Sequence, residues 1–239
     1  MPVRCGRQVL LVCVVVGLVT SCGQHKKKSE IYYTGWIPPG NVPPALEEIG
    51  ATAVNIIDLA ASDAWPQVYA YVQSISDLWS DYKHPTVVPP SYPRPTEGLL
   101  YGRLDTALGR LKAAAAARNA TETMRAANDV DAATIELIEF YNPSVPPDLH
   151  RLAVLERKVM LDSWDGRLDA ASDTLIEVRR TWSQARPRVV TRASEPVAVT
   201  FDSTLADQQA AIDAGEVIRL GDYAKTSLIM IHEMQQLSY

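Results

Sequence analysis

The stretches "WPQVYAYVQSISDLW" (65–79) and "LDAASDTLIEVRRTW" (168–182) decide the fold. In the first, Trp65, Val68, Val72, Ile75 and Trp79 step by 3, 4, 3 and 4 residues. That spacing puts all five on one face of an α-helix. Leu168, Ala171, Leu175, Val178 and Trp182 repeat the same steps 103 residues later. Trp65, Trp79, Leu168 and Trp182 are therefore expected in the cores of two equivalent helical units.

Working outward, the same offset carries "VPPALEEIG" (42–50) onto "VPPDLHRLA" (145–153). In the later halves "NATETMRAAND" (119–129) aligns with "DAGEVIRLGDY" (213–223), an offset of 94. The reading is one duplicated unit, with copies at 44–141 and 145–239. Polar breaks at "ASDAWP" (61–66), "RNATE" (118–122), "SWDGR" (163–167) and "DAGE" (213–216) divide each copy. Each break offers Asp, Asn or Thr as a helix N-cap, and Asp-Gly or Ala-Gly is turn chemistry. The expected fold is all-α: a duplicated unit of antiparallel helical hairpins, up to eight helices. The alternative is four long kinked helices in one bundle. The Pro-rich "KHPTVVPPSYPRPTEG" (83–98) and its counterpart "RPRVVTRASEPVAV" (186–199) read as extended links between hairpins.

The N-terminus has a different character. Arg4 and Arg7 precede an apolar run from Val9 to Val19, too short to span a bilayer comfortably. Then comes "LVTSCGQHKKK" (18–28). Val19-Thr20-Ser21-Cys22 resembles the lipobox of bacterial lipoproteins. The resemblance implies removal of residues 1–21 as a signal peptide and acylation of Cys22. Residues 22–43 then form a tether, and the protein sits in the cell envelope, anchored to a cell membrane or outer membrane. Cys5 and Cys13 fall in the removed segment, so Cys22 would be the lone mature cysteine, and acylation accounts for an odd thiol. Losing Arg4 and Arg7 leaves 21 basic against 28 acidic residues, a formal −7.

No Lys/Arg stripe recurs along the chain, so nucleic acid is not an expected partner. Nucleophile-elbow, P-loop, dinucleotide and His-Glu-x-x-His motifs are absent, and no enzyme is expected. No cofactor is expected either. Asp77, Asp81 and His84, at i, i+4 and i+7, could present two carboxylates and an imidazole as a weak metal site. The plainer reading of them is a solvated helix face. The expected function is a non-enzymatic binding module meeting an envelope protein or ligand. The alternative is a metal- or cofactor-binding helical bundle using Asp77, Asp81, His84 and His232.

Overall fold

A computed structural model describes residues 42–84, 98–141, 143, 147–192 and 195–237, and these form helices joined by short turns, with no strand among them. Cys22, the expected signal peptide (1–21), nearly all of the expected tether (22–43) and most of the Pro-rich 83–98 link lie outside the described residues. Eight helices follow one another: α1 (Pro44–Ala61), α2 (Trp65–Lys83), α3 (Leu99–Ala116), α4 (Ala120–Phe140), α5 (Asp148–Trp164), α6 (Leu168–Arg192), α7 (Glu195–Asp213) and α8 (Val217–Leu237). They pair as hairpins α1–α2, α3–α4, α5–α6 and α7–α8. α1 also packs on α4 and α5 on α8, which closes each pair of hairpins into a four-helix bundle.

Each bundle has its own core. Trp79 and Trp65 are buried in the first, with Leu46, Ile49, Leu104 and Leu111. Trp182 is buried in the second with Phe201, Leu175 and Leu220, while Leu168 is only partly buried against it. The stripe positions therefore do face the cores, and Trp marks the same place twice. Trp79 Nε1 donates to Asp105 Oδ1 at 2.7 Å, and Lys83 Nζ donates to the same oxygen at 2.8 Å. Trp182 Nε1 donates to Asp202 Oδ1 at 2.6 Å, and Arg186 Nε to Asp202 Oδ2 at 2.9 Å. Replacing Trp79 or Trp182 by Phe keeps a ring in the core but leaves the carboxylate one donor short. A loss of about 1–2 kcal/mol in urea unfolding is expected for each.

The paired aspartates correct the alignment of the later halves. Trp79 and Trp182 are 103 apart, but Asp105 and Asp202 are 97 apart. At an offset of 97 the buried positions of α8 (Leu220, Ala224, Ser227, Ile231, Met234) fall on buried positions of α4 (Thr123, Ala127, Val130, Thr134, Leu137). The sequence offset of 94 errs by three residues, nearly one helical turn, which preserves a stripe while shifting its register. The missing six residues lie in the link between hairpins. There α6 runs on through Pro187 to Arg192 and α7 starts at Glu195, so 186–199 is not extended as expected. Pro187 forfeits one backbone bond, but Ala185 and Val189 on either side are buried, and their burial carries the helix past it.

All four hairpins turn in three residues, and all turn the same way. The middle residues Asp63, Arg118, Gly166 and Gly215 have φ of 55°, 51°, 70° and 72°. In the first turn Asp63 N–H donates to Ala60 O and Ala64 N–H to Leu59 O, and the other three repeat this pair of bonds. These are Schellman caps, which satisfy the last carbonyls of the helix behind them. They displace the N-caps expected at the breaks: Asp63 closes α1 rather than opening α2, and Asn119 alone of α1–α5 accepts a capping bond, from Glu122 N–H. Two turns carry the glycine this backbone favours and two do not. Asp63, exposed at the turn, should therefore gain about 1 kcal/mol as Gly, and Gly166→Ala should lose a similar amount, both read as shifts in urea midpoint.

Candidate binding groove

The two bundles touch through one helix pair. Among the described residues, α4 packs on α5, while α1 and α8 flank them without close backbone contact between each other. α4 and α5 must therefore be buried on two sides, and their seam holds charge. Asp131 is fully buried and Arg157 nearly so. Arg157 Nη2 donates to Asp131 Oδ2, and Arg157 Nε to Asn128 Oδ1 at 2.9 Å. Asn128 Nδ2 donates to Val154 O at 3.0 Å, and His150 Nε2 lies 2.8 Å from Asp131 Oδ1. Burial alone would raise the Asp131 carboxyl, but His150 and Arg157 hold it below the usual carboxylate range. A second set closes one end: Arg125 donates to Asp162 at 2.7 Å and Asp165 at 2.8 Å.

Beside this seam lies a slot of about 360 Å³, with α4 and α5 beneath and α1 and α8 as walls. Val54 and Ile57 line it from α1, Met124 from α4, and Met160 from α5. All four are less than a tenth exposed. The mouth is different. Trp164 and Ile229 are 47% and 43% exposed, and Lys225 Nζ stands 5.4 Å from the Trp164 ring centroid. Gly221 lets α8 come in under that indole, since a Cβ there would meet Ser163 Oγ at 2.8 Å and Trp164 Nε1 at 3.2 Å. Asp58 and Arg157 supply the polar edge of the slot. Burial pushes the Asp58 carboxyl up, and the Arg157 charge pulls it partly back.

The residues singled out for a metal lie elsewhere. Asp77 and Asp81 are on the exposed face of α2, with Asp77 Oδ1 accepting from Gln73 Nε2 at 2.8 Å, and His84 is at the C-terminal cap. His232 is half-buried on α8, with Nδ1 unpartnered. Among the described residues, no three His, Cys, Asp or Glu side chains gather as a metal group. No described helix is long and apolar enough to cross a membrane. No family model matches the chain, and no curated protein or solved structure is significantly similar to it.

Proposed function

We propose that this chain is a lipid-anchored protein of the cell envelope, held through acylated Cys22, that works by binding rather than catalysis. The lipobox-like Val19-Thr20-Ser21-Cys22 supports the anchor. The observation that carries the binding half is the slot: an apolar cavity of about 360 Å³ with exposed Trp164 and Ile229 at its mouth, beside a seam fixed by buried ions. Pockets of this kind, mostly apolar with a few polar groups, are the usual form of ligand sites. The opposing reading, a metal- or cofactor-binding bundle, has no gathered set of metal ligands to rest on among the described residues.

Intact-mass analysis of the full-length protein extracted from the membranes of its own host tests the anchor. A chain starting at Cys22 and carrying acyl mass is expected; residues 1–21 retained, or an unmodified Cys22, overturns it. Native mass spectrometry of the same material tests binding. A releasable companion mass, lost in Ile229→Arg, is expected, and a bare chain overturns that half.

A further inference from the structure

Resting on the slot being the binding site, we propose that its ligand is one long-chain fatty acid bound as the anion. The tail lies along α4 and α5 between the walls, and the carboxylate meets Lys225. Burial of the lining argues for a slender chain rather than a helix, which is about 10–12 Å across, since Val54, Ile57, Met124 and Met160 are each less than a tenth exposed. Volume argues for one chain, since about 360 Å³ is at the small end of the roughly 300–1,000 Å³ range of ligand pockets. Charge argues for an anion. The Lys225 side chain is 52% exposed at the mouth and its ion pair with Asp222 is long, 3.8 Å. Arg157 on the edge is already paired with Asp131 and faces Asp58, so Lys225 is the cation that the mouth offers a ligand. Methionines at the floor suit a flexible tail, being unbranched and adaptable.

The test uses residues 22–239 with Cys22→Ser, so that no attached acyl group competes. Carboxyl-labelled palmitate is titrated and followed by NMR, with hexadecanol as the uncharged control. Saturable one-to-one binding of palmitate is expected, at least tenfold weaker in Lys225→Glu, an exposed position whose change leaves both cores intact. Hexadecanol affinity should be indifferent to that change, and Ile229→Arg should abolish both. If palmitate and hexadecanol bind alike and Lys225→Glu alters neither, the anion assignment is overturned. If palmitate does not bind, the ligand class is overturned. Should the companion mass from the native membrane nevertheless persist and depend on Ile229, the binding reading stands without this ligand; should both vanish, both fall.

Discussion

Replacing Arg157 by Met should cost about 3–5 kcal/mol in urea unfolding at neutral pH. The side chain keeps its length, so little packing is lost. What is lost is the partner of a carboxylate that water cannot reach: Asp131 would retain His150 alone. Burial alone would raise that carboxyl, and His150 and Arg157 together hold it below the usual carboxylate range. Changing Asp131 to Asn as well removes the stranded charge, so the double variant should recover much of the loss. Strongly non-additive losses are expected from the double-mutant cycle. Additive losses, or an Arg157→Met change near zero, would show that the seam is held by its apolar contacts instead. The acid side follows the same chemistry. Asp131 is depressed in the fold, so its contribution is present above its unfolded value and is lost as pH falls through its folded one.

The second large effect runs the other way. Glu156 is fully buried inside the second bundle, not at the seam. Its oxygens accept from Gln208 Nε2 at 3.2 and 3.0 Å, and Ser227 Oγ lies 2.9 Å from that same nitrogen. Burial pushes the carboxyl up from 4.5 to about 8, despite the hydrogen bonds of Gln208 and Ser227. The folded state therefore holds this proton more tightly than the unfolded chain does. Its contribution is fully present below about 4.5 and is lost as pH rises through 8. At 1.36 kcal/mol per pH unit the span amounts to about 4–5 kcal/mol. Glu47, raised by burial to about 7, tilts stability in the same direction, so the wild-type curve alone does not isolate Glu156.

The first bundle supplies the control. At the positions matching Glu156, Gln208 and Ser227 it has Ala53, Leu111 and Val130, all fully buried. Transplanting them as Glu156→Ala, Gln208→Leu and Ser227→Val should flatten most of the decline in urea midpoint between pH 6 and 9. The variant should also be the more stable protein at pH 9. An unchanged slope would locate the proton elsewhere.

The helical hairpins were legible because each stripe is a local pattern: Trp65 to Trp79 needs one helix to make sense. The polar breaks were legible as turns for the same reason. The seam was not, because Asp131 and Arg157 meet across 26 positions, and a charged residue between apolar ones reads first as a solvated face. A signal was present in "LAVLERKVML" (152–161), where Glu156 and Arg157 sit amid apolar residues that would cover more than one helix face. His150 has no partner at helical spacing; its partner is on the preceding helix. The slot was illegible for a further reason, since its walls come from α1 and α8, at opposite ends of the described chain.

The seam also joins unlike ends of like units: the fourth helix of the first copy meets the first helix of the second. Such head-to-tail joints do not close upon themselves, and repeated they build rings or filaments. The outer helices carry a different set of residues at the matching positions. Where α4 carries Asn128 and Asp131, α8 carries Lys225 and Leu228; where α5 carries His150 and Arg157, α1 carries Glu47 and Val54. Neither outer face keeps the ions that lock the internal joint. The residues that stand in their place, Glu47 and Val54 on α1 and Lys225 and Leu228 on α8, line the cavities beside the joint instead.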